Sequence, residues 1–147
     1  MRLRGTNVIG LILPLFALAA LSLGGCDRGP ASYHVWGTVK FDGKPVPAGR
    51  VYFSPDFKKG NDGPQGFADI KDGAFDTRKD GKGHPGGPMV IRIEGFDGKS
   101  PDPLLVGSPI FVPHEFNRDL PKSAGEQDFD VPASAAKGLI VPTGPGP

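Results

Sequence analysis

Few residues of this chain carry side chains suited to chemistry, and they are scattered. Cysteine occurs once, at Cys26, and histidine three times, at His34, His84 and His114. A zinc-type site wants ligands close in sequence, such as a pair at i, i+2 or i, i+4, or a companion cysteine. No such pair exists here, so solvated or internally satisfied histidines are expected, with His84 the one to inspect because it sits in a glycine-rich loop. Asp72, Asp80 and Asp97 each precede a glycine. A calcium loop needs several oxygen ligands within a few residues, and these positions lack that density, so turn chemistry accounts for all three. The stretch GKGHPGGP at Gly81 to Pro88 has no Lys-Ser/Thr after its glycines and opens no helix, which excludes a phosphate cradle. No serine lies in a nucleophile elbow. The expectation is a chain without catalytic residues, metal or cofactor.

The cysteine needs its own explanation, because one thiol cannot form an internal disulfide. It closes the segment MRLRGTNVIGLILPLFALAALSLGGC, in which Arg2 and Arg4 precede an almost uncharged apolar stretch from Val8 to Leu23. Gly10 and Pro14 interrupt that stretch, and it is short for a full membrane span. Small residues at Ser22, Gly24 and Gly25 favour cleavage over a permanent anchor. Leu23-Gly24-Gly25-Cys26 resembles the lipobox of bacterial lipoproteins. The resemblance implies cleavage between Gly25 and Cys26, a thioether-linked diacylglycerol on the sulfur and an acyl chain such as palmitate on the new amino group. Two or three acyl chains anchor a protein firmly where one is marginal. The expected location is the cell envelope, on a membrane, facing the periplasm or the outer surface.

Charge excludes another class. The formal net charge is +1 over the whole chain, Arg2 and Arg4 fall in the export segment, and no basic run appears. An electrostatic nucleic-acid binder is therefore not expected.

The elements that would position any site are strands. Gly (23) and Pro (17) are abundant enough to raise disorder as a possibility. Ten Phe residues and short patterned apolar runs point instead to an all-β domain rich in tight turns. YHVWGTVKF at Tyr33 to Phe41 alternates, with Tyr33, Val35, Val39 and Phe41 on one face and Gly37 between them. Asp42-Gly43 signals a turn, and in RVYFS at Arg50 to Ser54 the inward pair is Val51 and Phe53. GFADIK and AFDTR, at Gly66 to Lys71 and Ala74 to Arg78, flank Asp72-Gly73, the clearest hairpin of the chain. MVIRIEGF at Met89 to Phe96 puts Met89, Ile91 and Ile93 inside and Arg92 and Glu94 outside. EFNRDL at Glu115 to Leu120 and QDFDVP at Gln127 to Pro132 complete seven runs, which predict a β-sandwich. The Pro-rich stretch from Ser100 to Pro113 has no clear pattern.

VWGTVKFDGKPVPAGRVYFSP, at Val35 to Pro55, resembles the opening of carboxypeptidase regulatory-like domains of the transthyretin-like sandwich type. ADIKDGAFDTR, at Ala68 to Arg78, is similar to their Asp-Gly-x-Phe hairpin, and the stretch from Gly83 to the DFDVP segment looks like small bacterial lipoproteins of that group. The implied organisation is a lipoprotein signal peptide at 1–25, a lipidated N-terminus and linker at 26–32, a seven-stranded sandwich at 33–137 and a Pro/Gly-rich flexible tail at 138–147. The transthyretin-like enzymes that hydrolyse hydroxyisourate end in a Tyr-Arg-Gly-Ser tetrapeptide, whereas this chain ends in LIVPTGPGP. A hydrolase is thus the least favoured function. A non-catalytic structural or protein-interaction module near the membrane is favoured, with a membrane-proximal protein or wall component as partner. A carbohydrate or small-ligand module is the alternative, resting on Trp36 and Tyr52, both of which fall on the face opposite the core. Six residues separate Cys26 from Tyr33 and reach roughly 20 Å at most, which would hold the domain close to the bilayer.

Overall fold

The computed structural model describes residues 31–102 and 106–139. Cys26, the cleavage position at Gly25 and the whole of segment 1–25 lie outside the described residues, as do residues 140–147 of the tail. The described part is mostly β. Ten strands follow in chain order: β1 (Val35–Phe41), β2 (Lys44–Pro45), β3 (Ala48–Pro55), β4 (Gly66–Lys71), β5 (Ala74–Asp76), β6 (Gly81–Lys82), β7 (Gly87–Phe96), β8 (His114–Leu120), β9 (Gly125–Glu126) and β10 (Phe129–Val131). They form one curled sheet with the path β10-β1-β5-β4-β3-β7-β8. All seven predicted runs lie on that path. The three further strands are two-residue pairings, β2 and β9 on β1 and β6 on β4, too short to leave an alternation in the sequence.

Strand alternation places the core on the concave side. Val51 and Phe53 of β3, Ala68 and Ile70 of β4, and Met89, Ile91 and Ile93 of β7 are all buried. They face Val35 and Val39 of β1 and Phe129 and Val131 of β10. The curl brings the two ends of the path together through rings: Phe116 of β8 lies 5.4 Å from Phe129 of β10, and Phe129 lies 6.1 Å from Phe75 of β5. Two core residues come from segments without strand pattern. Val46 is fully buried in the turn after β2, and Phe111 is buried in the Pro-rich stretch with its ring 5.1 Å from Phe41. That stretch continues the line of β8 alongside β7, with the Asp97 amide bonding to the Ser108 carbonyl and the Ile110 amide to that of Gly95.

Two Asp-Gly turns close one end of the sheet. Asp42 and Gly43 have φ of 50° and 73°, and Asp72 and Gly73 have 51° and 79°. Consecutive positive φ values are those of a type I′ hairpin turn, whose twist matches the flanking strands. The turns interlock: the Gly73 amide donates to the Val46 carbonyl and the Asp72 amide to that of Pro47, while the Val39 amide donates to Gly73. A Cβ on Gly73 would stand 2.6 Å from the Pro45 Cβ, so both φ and packing demand glycine there. At the opposite end, Tyr33 and His84 exchange backbone hydrogen bonds of 2.8 and 3.0 Å.

Phe129 sits where the two ends of the curl meet and is 3% exposed. Phe129→Ala should cost about 3–5 kcal/mol in a urea denaturation experiment. A loss under 1 kcal/mol would mean that the ends of the sheet do not close on this ring.

Candidate functional site

With the apolar residues turned inward, alternation sends a second set of side chains to the convex face. On β3 these are Arg50 and Tyr52, on β4 Phe67, Asp69 and Lys71, and on β7 Arg92 and Glu94. Cross-strand register lines them up in rows. Arg50 stands between Asp69 and Glu94, and Tyr52 stands between Phe67 and Arg92. Directly opposed residues on one face interact, and opposite charges there are favourable.

The same unit recurs three times on this face: an arginine lying near an aromatic ring and bonded to a carboxylate. The Arg50 guanidinium is 5.0 Å from the Phe67 ring centre and bonds to Asp69 at 2.6 Å. Arg78 is 4.4 Å from the Trp36 ring centre and makes a forked contact to Asp76, with Nε and Nη2 each at 2.9 Å from a carboxylate oxygen. Arg92 is 5.9 Å from Tyr52 and is bonded to Glu94. A guanidinium over an aromatic face is attracted by the ring quadrupole, and its planar fork suits a carboxylate. The Arg78 hydrogen bonds hold the Asp76 carboxyl down to about 2, and the bond that Arg50 donates to Asp69 raises the Arg50 guanidinium above its ordinary value.

Two clefts adjoin on this face. One, of about 390 Å³, lies beside Trp36 with Asp76, Lys79, Asp80 and Glu126 on its walls. The other, of about 450 Å³, is walled by Arg50, Tyr52, Glu94, Phe96 and Val106. Asp69 and Lys71 line both. Lys71 is tied to Asp80 at 2.8 Å.

Trp36 and Tyr52 both lie half-buried on the outer face, but the fold does not bring them together. β5 and β4 stand between their strands, a separation of roughly 14 Å at about 4.8 Å per strand. They serve different clefts, and an arginine stands over each ring. The arginines Arg50 and Arg78 went unnoticed in the sequence. The available signal was their outward parity beside an aromatic, together with the Asp76-x-Arg78 spacing.

The histidines also go to separate surroundings. His34 approaches Thr77, with Nδ1 3.5 Å from Oγ1. His114 packs edge-on against Phe116 at 4.8 Å. His84 is buried between Tyr33 and Phe53, at 6.2 and 6.0 Å, and its Nδ1 accepts the Gly86 amide at 3.0 Å. Among the described residues, no group of three or more His, Cys, Asp or Glu could hold a metal ion. The Asp-Gly aspartates act in turns and loops. Asp97 accepts the Lys99 and Ser108 amides, closing the neck of the loop between them, and these bonds lower its pKa.

Burial holds the His84 imidazole below its usual range, whereas the unfolded chain takes up the proton near the ordinary value of about 6.5. Its stabilising contribution is therefore complete above about pH 6.5 and declines as pH falls through that value. His84→Asn keeps an acceptor for the Gly86 amide and removes the titration. Between pH 7.5 and 5.5 the wild-type urea midpoint should fall more steeply than that of the variant; parallel slopes would assign the proton uptake to another group. Comparison with protein-family models and with curated proteins finds no match to this chain.

Proposed function

We propose that the chain is an exported lipoprotein, anchored through acylated Cys26, whose β-domain is a non-catalytic interaction module working beside the membrane. The observation that carries the interaction role is the convex face itself. Three arginine–aromatic–carboxylate units and two adjoining clefts give a surface whose planar groups are paired before any partner arrives. Such preorganisation lowers the cost of association, and aromatic and arginine side chains are the usual anchors of interfaces. The anchor rests on Leu23-Gly24-Gly25-Cys26 and its likeness to a lipobox. The finer fold, a seven-stranded transthyretin-like or carboxypeptidase regulatory-like sandwich, is part of the same proposal. It is supported by Asp-Gly turns at both positions where that resemblance expects them and by the seven strands of the main path.

The partner is a membrane-proximal protein or a wall component, because the linker before Tyr33 is short. A carbohydrate or small-ligand module is the second reading, favoured by the cleft beside Trp36, where an aromatic ring, two lysines and carboxylates converge.

Cys26→Ser should abolish incorporation of an alkyne-tagged fatty acid and release the chain from the membrane fraction. Retained label would refute the anchor. In cells carrying the anchored protein, a short crosslinker should capture a membrane or wall component, and Arg78→Glu should reduce that product several-fold with little change in thermal stability. Unchanged capture would remove the convex face from the interaction. Binding to envelope glycans lost in Trp36→Ala would favour the second reading instead.

A further inference from the structure

Asp-Gly occurs five times in this chain, at Asp42, Asp62, Asp72, Asp80 and Asp97. Besides its use in turns, the pair has a covalent chemistry of its own. The glycine nitrogen attacks Cγ of the aspartic acid side chain. The N–Cγ bond forms, and the carboxyl hydroxyl leaves as water with the proton of the amide, closing a succinimide ring. Water then opens this ring at either carbonyl. Opening at Cγ restores aspartate. Opening at the main-chain carbonyl breaks the original bond to glycine and leaves the chain running through Cβ and Cγ, as isoaspartate. One water is lost and one regained, so no oxidant, metal or further reactant is needed. Glycine favours the attack because it places no Cβ beside the nitrogen.

The attack needs an amide that is not donating elsewhere and a carboxyl free to turn toward it, because a bond made by either has to break first. Hydrogen bonding sorts the five pairs on this basis. The Gly43 amide donates to Asp130 Oδ1 at 3.2 Å. The Gly73 amide donates to the Val46 carbonyl at 2.8 Å, and the Gly98 amide to that of Val106 at 3.1 Å. The Asp97 carboxylate is engaged as well, by the Lys99 and Ser108 amides. At Asp80 the carboxylate is held by Lys71 Nζ at 2.8 Å.

Asp62 and Gly63 differ. Both are exposed, and they lie in the loop between a 3-10 turn at Phe57–Lys59 and β4. Among the described residues, no hydrogen bond or ion pair engages the Asp62 carboxylate or the Gly63 amide. The flanks of the loop are tied. The Asn61 side-chain amide donates to the carbonyls of Gly86 and Pro88, at 3.0 and 2.7 Å, and Gln65 Nε2 donates to Ser54 Oγ at 2.7 Å. The reacting pair is the unbonded middle of a loop fixed on both sides.

We propose that Asp62 is a site of spontaneous covalent modification, isomerising to isoaspartate through a succinimide with Gly63 while the other four pairs stay intact in the folded chain. The product lengthens the main chain by one methylene between Asn61 and Gln65 and moves the carboxylate onto Cα. It accumulates with the age of the molecule and depends on neither the anchor nor the interaction role proposed above.

The purified native protein, kept for several weeks at neutral pH and body temperature in water enriched in heavy oxygen, tests this. Each passage through the ring inserts one labelled oxygen, whichever way the ring opens, and digestion in ordinary water then reports each Asp-Gly pair on its own peptide. The Asp62 peptide should gain label roughly ten-fold faster than any of the other four, the factor set by having to break one hydrogen bond first. Electron-transfer fragmentation, which tells the two products apart, should find isoaspartate at Asp62. In the urea-unfolded chain all five pairs should label at comparable rates. Asp62→Glu, whose ring closure is slow, should abolish the label in that peptide at unchanged thermal stability. Lys71→Ala, by freeing the Asp80 carboxylate, should raise labelling at Asp80 several-fold and leave Asp62 as before. Label spread evenly over the five pairs of the folded chain, or arriving first at another pair, would overturn the proposal.

Discussion

β1 has to satisfy its backbone on both edges while its neighbours change halfway along. Its first half pairs with β5 on one side and β9 on the other, and its second half with β2 and β10. An interior strand with unpaired amides would lose the free energy of each missing bond, so the crossover between the two sets has to be bridged. Two residues bridge it. Gly37 lets the Gln127 carbonyl come so close that a Cβ would collide with it. Asp128 supplies a carboxylate oxygen to both the Thr38 amide and hydroxyl, each at 2.7 Å. Those bonds lower the Asp128 pKa, which marks the carboxylate as a working acceptor.

Much of the architecture follows from that strand. Because β10 runs parallel to β1 at one end of the path, Phe129 is delivered under the sheet, where it meets Phe75 and Phe116. The sheet curls as it must to bury one face with few residues, and the remaining gap is filled from loops by Val46 and Phe111. Both ends of the sheet are then pinned by backbone bonds, the interlocked Asp-Gly turns at one and the Tyr33–His84 pair at the other.

The convex face shows how a sheet with a solvated side keeps large rings there. Trp36, Phe67 and Tyr52 each have an arginine nearby, and each arginine is steadied by a carboxylate two residues away or directly across the ladder. Exposed ion pairs contribute little stability singly. Their consequence is order: the planar groups are held in one arrangement.

Alternation was enough to set out the seven strands of the main path, the inward residues Val51, Phe53, Met89, Ile91 and Ile93, and the two hairpin turns, because a period of two and a positive-φ glycine are local properties of a chain. It also put Trp36, Tyr52, Arg92 and Glu94 on the outer side. Two things were beyond it. The burial of Val46, Phe111 and His84 depends on segments distant in sequence closing over them, and a lone apolar residue among prolines and glycines leaves no periodic trace. The separation of Trp36 from Tyr52 depends on strand order, which puts β5 and β4 between two strands that are neighbours in the sequence apart from the short β2. Local periodicity determines which way a side chain points, and only the pairing of strands decides what it then stands beside.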